Sequence, residues 1–136
     1  MPVLIDTSVW IEFYHPKGDT DVKRQAAEAI AGDEVATVAP VVAELLLGAR
    51  RSPERETIER DLRLFRLIPL GWDEAAVAAA LGRSLERSGR HTPMLDLLIA
   101  AAAHRGGCEL WHTGDEHYIA IAKVSGWRVR NLKPAA

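Results

Sequence analysis

The chain has 136 residues, 48% of them hydrophobic and 26% charged, with a formal net charge of −2. That size and balance exclude a disordered chain and predict one folded domain over residues 1–136. No run reaches the roughly 18 apolar residues of a membrane span, and a single cysteine, Cys108, excludes an internal disulfide.

The start, Met1-Pro2-Val3-Leu4-Ile5-Asp6, lacks a basic region and meets an acid too early for a signal peptide. With one cysteine and no membrane segment, the expected location is the cytoplasm. Val3 to Asp6 reads as a buried strand and Ser8 to Tyr14 as a short helix. After the loop at 15–19, Thr20 to Ala31 reads as a helix closed by Gly32. Glu34 to Val38 is strand-like, and Pro40 suits the first turn of a helix reaching Leu47 or Ala49. Ser52-Pro53 predicts a capped helix with Ile58, Leu62 and Phe65 on one face. Leu67 to Leu70 is predicted as a short strand, followed by a helix capped by Asp73 and ending near Gly89. Thr92-Pro93 repeats the cap-plus-proline signal for a helix to about His104, stopped by Gly106-Gly107. Glu109 to Thr113 reads as a strand, Asp115 to Val124 as a helix, and Trp127 to Val129 as a last strand.

This alternation predicts an α/β fold, with helices on both faces of a mostly parallel sheet. Sites in such sheets form at the carboxyl ends of strands, where connections diverge. Asp6 and Asp115 both directly follow predicted strands.

Four carboxylates stand in apolar or strand-end settings: Asp6, Glu44, Asp96 and Asp115. Each has an ordinary structural reading. Asp6 and Asp115 suit helix caps, and Glu44 suits the solvated face of a helix. Against the last, Leu45-Leu46-Leu47 leaves little polar face, and Gly48 would let another backbone come close. Asp96 is the hardest to explain this way, because it is the only polar side chain from Met94 to Ala103. A helix so apolar on every side is expected to be buried. Its first turn would favour the anion.

An ionised carboxylate in apolar surroundings costs several kcal/mol unless it is paired. Two such charges 4 Å apart repel by roughly 4 kcal/mol at an effective dielectric near 20. No Lys or Arg stands at pairing distance within the runs holding Asp6, Glu44 and Asp96. A divalent cation would neutralise the group, and oxygen-only donors select a hard ion, Mg2+ or Mn2+. Such an ion can acidify a water, orient a phosphodiester and stabilise its leaving oxygen. Thr7, Ser8 and Thr113 are placed to orient carboxylates or waters. Without the four acids, 15 acidic residues face 17 basic ones, so the charge balance permits an RNA substrate.

At these residues the chain resembles a PIN-domain ribonuclease, and more narrowly a VapC-type toxin of bacterial toxin–antitoxin pairs. The matching segments are Leu4-Ile5-Asp6-Thr7-Ser8-Val9-Trp10, Val42-Ala43-Glu44-Leu45-Leu46-Leu47-Gly48-Ala49-Arg50, Asp96-Leu97-Leu98-Ile99-Ala100-Ala101-Ala102 and Thr113-Gly114-Asp115. They run in order over essentially the whole chain. The resemblance implies a three-layer α/β/α sandwich and an acidic site for Mg2+ or Mn2+. It also implies RNA endonuclease activity, homodimerisation and a cognate VapB-like antitoxin. Carried over by position, Asp6, Glu44, Asp96 and Asp115 are the site acids, with Thr113 supporting. Relatives often follow the last motif with a further Asp or Asn and a Phe, whereas here His117-Tyr118 follow Glu116. That leaves the geometry at Asp115 open, and Glu116 could share its role.

Other signals carry less. Cys108, His112 and His117 suggest zinc by proximity, but His112 falls in a predicted strand and no fourth ligand is evident. Arg83, Arg87 and Arg90 form one basic stripe, and Arg50, Arg51 and Arg55 a second cluster. Each reads as a solvated face or, more sharply, as phosphate contacts, for which Arg50, Arg51 and Arg87 are the candidates. Trp10 and Trp72 fit an interface or the core equally. Two competing functions remain: a non-catalytic RNA- or protein-binding module of the same fold, and an aspartate-nucleophile phosphatase. The first is disfavoured by the presence of all four acids. The second lacks a second Asp, since Ser8 stands two positions after Asp6, and lacks a Gly-rich phosphate loop.

Overall fold

The computed structural model describes residues 1–133. Its five strands are β1 (Val3–Ile5), β2 (Val35–Thr37), β3 (Arg66–Leu67), β4 (Glu109–His112) and β5 (Val129–Asn131). They form one sheet, ordered β3-β2-β1-β4-β5, with every neighbouring pair parallel. Seven helices separate them: α1 (Thr7–Tyr14), α2 (Thr20–Ala31), α3 (Ala39–Gly48), α4 (Ser52–Leu62), α5 (Trp72–Arg87), α6 (Met94–Arg105) and α7 (Glu116–Ser125). The helices pack on one another in two groups, α1 to α4 and α5 to α7, as the outer layers of an α/β/α sandwich require.

The central strand explains why the first residues are so apolar. β1 lies between β2 and β4, with Val3 in register with Val35 on one side and Glu109 on the other. Covered on both faces, it has no polar alternation to keep. Leu4 and Ile5 are completely buried, as are Val9 and Trp10 of the helix that follows. Burial of each such aliphatic side chain contributes roughly 1.5–3 kcal/mol. On the other face α5 and α6 pack tightly at Gly82, where a Cβ would come within 3.1 Å of Leu97.

Several boundaries differ from the sequence reading. β3 covers Arg66–Leu67 instead of Leu67–Leu70. The Ile68 N–H still bonds to the Thr37 carbonyl, and Pro69 falls where an N–H would face away from β2, a position that suits proline on this edge strand. β5 covers Val129–Asn131 instead of Trp127–Val129, because the Trp127 ring stacks on His104 at 4.3 Å and lies outside the strand. Phe65 lies beyond the end of α4, and its ring stacks on Trp10.

The predicted caps are also displaced. Arg51 and Pro93 occupy the N-cap positions of α4 and α6, in place of Ser52 and Thr92, and neither makes a side-chain cap bond. At α5 the cap is Gly71, whose N–H donates to Glu74, while Asp73 pairs with Arg105. Among the described residues, no helix is long and apolar enough to cross a membrane.

Candidate metal centre

The chain runs from β1 outward through β2 to β3, then returns to place β4 on the other side of β1. Connections therefore diverge between the carboxyl ends of β1 and β4, where a parallel sheet opens a crevice. Asp6 stands directly after β1, and its N–H donates to the Trp111 carbonyl of β4 at 3.0 Å. Thr113, Gly114 and Asp115 follow β4. Gly114 adopts φ +70°, a left-handed conformation that turns the chain back toward α7 at little steric cost.

The Asp6 carboxylate is 6% exposed and fully engaged. Its Oδ2 accepts from the Ser8 N–H at 3.1 Å and the Ser8 hydroxyl at 2.8 Å. Its Oδ1 accepts from the Tyr118 hydroxyl at 3.0 Å. Asp6 is thus the N-cap of α1, as the ordinary reading held, and it also faces the crevice groups. Ser8 ties the two strand ends together, because its oxygen accepts the Thr113 N–H at 3.1 Å. Asp115 caps α7, with Oδ1 accepting from the His117 N–H at 2.8 Å. Its own N–H donates to His112 Nδ1 at 3.1 Å.

Asp96 reaches the same place from the first turn of α6. One carboxylate oxygen each from Asp96 and Asp115 and one ring nitrogen of His117 all lie within 4.8 Å of one another. The Asp96 carboxyl is pushed up to about 6, first by burial, then by the negative charges of Asp115 and Asp6. His117 works against that shift, and Glu44 adds to it more weakly. Four carboxylates from four separate segments therefore act on one another. None of the four forms a salt bridge with Lys or Arg among the described residues.

Burial also pushes the Tyr118 hydroxyl far above its usual range, with Asp6 the next cause, so it remains a donor. Burial lowers His112, against the opposing charges of Asp115 and Asp6. That imidazole is a neutral acceptor for the Asp115 N–H. Carboxylate oxygens, one imidazole nitrogen and mutual repulsion without a neutralising cation form a donor set that fits a divalent metal ion.

Glu44 differs from its expected setting. It is exposed on α3, with Ala43, Leu47 and Gly48 exposed beside it, so the leucine run does leave a solvated face. A Cβ on Gly48 would meet nothing within 4 Å, and no backbone comes close there. Glu44 is instead steered by Thr7, whose hydroxyl donates to Oε1 at 3.0 Å. Nor is α6 buried all round, since Met94 and Leu95 are exposed and the burial begins at Leu97.

Glu116 is exposed and stands outside the close cluster. Arg50, Arg51 and Arg87 are exposed, and none bonds to a crevice acid among the described residues. Arg87 donates to Ser84, and Arg55 folds back onto the carbonyls of Ala49 and Arg50. Cys108 immediately precedes β4 and His112 ends it. Four residues of extended chain separate them by about 13 Å, too far to share an ion with His117. Trp10 is core, whereas Trp72 is 88% exposed.

From sequence, His117 is only a zinc candidate and Tyr118 is not singled out as a site group. Their signal was present in the register: two and three residues after a capping Asp, they occupy the first turn of α7.

Residues 3–124 match the PIN domain family. The chain is 31% identical to the VapC ribonuclease Mb1587 of Mycobacterium bovis, over 96% of this chain and 99% of that one. It is also similar to the crystal structure of FitAcB from Neisseria gonorrhoeae. There the TM-score is 0.78 and the identity 26%, over 96% of this chain and 97% of that one. A third likeness is to VapBC-5 of Mycobacterium tuberculosis, described as a member of the VapBC family of toxin–antitoxin systems. Its TM-score is 0.64 and its identity 26%, over 98% of each chain. The chain belongs to the PIN-domain family and, within it, to the VapC branch.

Proposed function

We propose that this protein is a metal-dependent endoribonuclease, the toxin half of a VapBC-type pair, acting in the cytoplasm as one domain over residues 1–136. The observation that most supports the reading is the crevice carboxylate of Asp96, raised to about 6 by burial and by neighbouring acids. Such a constellation opposes folding unless something outside the chain carries positive charge into it.

Asp6, Glu44, Asp96 and Asp115 are the proposed metal-holding and catalytic acids, with Mg2+ as the ion and Mn2+ as an alternative. Held by these acids, such an ion would lower the pKa of a water so that hydroxide is available to attack phosphorus, and would offset charge on the leaving oxygen. The chain's own residues set the geometry. Ser8 and Tyr118 fix the rotation of the Asp6 carboxylate through three hydrogen bonds. Thr7 draws Glu44 inward, and Ser8 holds the Thr113 turn against β1. Glu116 is a supporting acid beside Asp115, exposed at the start of α7. Arg50, Arg51 and Arg87 are the proposed phosphate contacts.

The likeness to a VapC ribonuclease and to a member of the VapBC toxin–antitoxin systems supports RNA as substrate and a VapB-like antitoxin as partner. Leu47, Leu64, Leu67 and Trp72 are large exposed apolar side chains that provide surface for that partner and for a homodimer.

The test is cleavage of RNA with Mg2+ or Mn2+, with and without EDTA, by wild type and Asp96→Asn. Loss of cleavage in EDTA and in the variant is expected. Cleavage by Asp96→Asn as fast as wild type defeats the reading and leaves a binding module of this fold.

A further inference from the structure

We infer that His117 is a metal ligand of this chain, making the crevice a mixed nitrogen–oxygen site that prefers Mn2+ to Mg2+. The inference rests on the metal-dependent reading above and deepens it by adding a ligand, which moves the preference from Mg2+ to Mn2+.

The geometry sets the two nearby histidines apart. His112 is 1% exposed, and its Nδ1 is already occupied by the Asp115 N–H. His117 is half-buried, and its ring makes no hydrogen bond among the described residues. Yet one of its ring nitrogens lies within 4.8 Å of carboxylate oxygens from both Asp96 and Asp115. One ion can gather three donors that close with small side-chain adjustments. The backbone assists: the His117 N–H donates to Asp115 Oδ1, holding that carboxylate at the start of α7 beside the imidazole. Alone, the ring nitrogen has no partner, whereas the two carboxylates have more negative charge than the chain neutralises.

An imidazole changes which ion is favoured. Mg2+ holds oxygen ligands and water and gains little from nitrogen. Ions of the first transition row accept imidazole readily, with affinity rising from Mn2+ onward. Of the two hard ions this crevice suits, Mn2+ is the one that gains from His117.

The experiment uses the purified full chain and the metal salts alone. Calorimetry gives the affinities for MnCl2 and MgCl2, and electron spin-echo spectroscopy of bound Mn2+ reports directly coordinated 14N. Wild type is expected to show a 14N coupling that His117→Ala abolishes. The same change should weaken Mn2+ binding about tenfold or more, in the range seen when groups around a metal are removed, and alter Mg2+ binding by less than about threefold. His117→Asp keeps a ligand but replaces nitrogen with oxygen, so it should lower the Mn2+ over Mg2+ preference about tenfold while both ions still bind. Mn2+ bound to wild type without 14N coupling, or a coupling that survives in His117→Ala, overturns the inference. If Mn2+ then still binds through oxygen alone and Asp96→Asn abolishes it, the functional proposal stands without this ligand. If neither ion binds wild type, both fall together.

Discussion

The acids of the helical surface and the acids of the crevice are the same residue types in opposite circumstances. On the surface, Asp21 and Glu28 share Arg24, Glu59 meets Arg63, Asp73 and Glu74 share Arg105, and Glu12 meets Lys133. Pairs of this kind in high dielectric contribute little each, but they leave charge balanced. In the crevice, hydrogen bonds orient the carboxylates, and among the described residues no Lys or Arg pairs with them. Asp21 and Glu74 are held below the usual carboxylate range by their hydrogen-bond donors, whereas Asp96 is driven above it by burial. The contrast supports the proposal that the crevice at the carboxyl ends of β1 and β4 takes its balancing charge from outside the chain.

The sharpest break of this comparison is in activity. Asp96→Asn should reduce RNA cleavage at least about a hundredfold, while Asp21→Asn on α2 leaves the rate within error, measured on the same RNA. Equal loss in both would erase the distinction.

Stability should diverge in the other direction. The Asp96 carboxyl titrates near 6 in the fold and 3.8 as the unperturbed group, so the folded chain holds this proton more tightly. Ionised Asp96 therefore costs stability fully above pH 6, progressively less down to about pH 4, and nothing below. Metal-free Asp96→Asn should be more stable than wild type at pH 7 by about 1–2 kcal/mol, after allowance for solvent screening. Urea denaturation at pH 7 and pH 4 checks this, and the gain should vanish at pH 4. Mg2+ at a hundred times its Kd should stabilise wild type by about 2.7 kcal/mol and the variant by less.

A finer probe is Tyr118→Phe, which keeps the buried ring and removes only the donor to Asp6. A hydrogen bond to a charged group contributes about 1.5–3 kcal/mol. The expected result is a roughly tenfold drop in kcat with KM unchanged, because the lost group rotates a site acid and touches no substrate. A rise in KM alone would contradict that role. The smallest effects belong to Arg51→Ala and Arg87→Ala, where loss of one phosphate contact should lower the salt slope of RNA binding by about one. An unchanged slope would make them ordinary solvated arginines.

The order of elements was readable because its causes are local. Val3-Leu4-Ile5, wholly apolar and partly β-branched, suits a strand buried on both faces. Gly32 and Gly106 end helices at the positions their sequence suggests. Caps were misread where a nearby arginine or backbone group competed: Ser52 accepts a bond from Arg55 and so is drawn away from capping, and Glu74 reaches back to Gly71. Glu44 was placed at the crevice for the wrong local reason, since its helix face is solvated and the steering group is Thr7, 37 residues away.

Sequence alone determined that Asp6 and Asp115 would follow strands and that Asp96 would sit in an apolar helix, because hydrophobic period and strand-end position are written along the chain. Only tertiary structure could decide that these acids meet Tyr118 and His117 at one edge. That depends on β4 returning beside β1, and side chains 105 to 112 residues apart carry no mark of each other until the sheet brings them together.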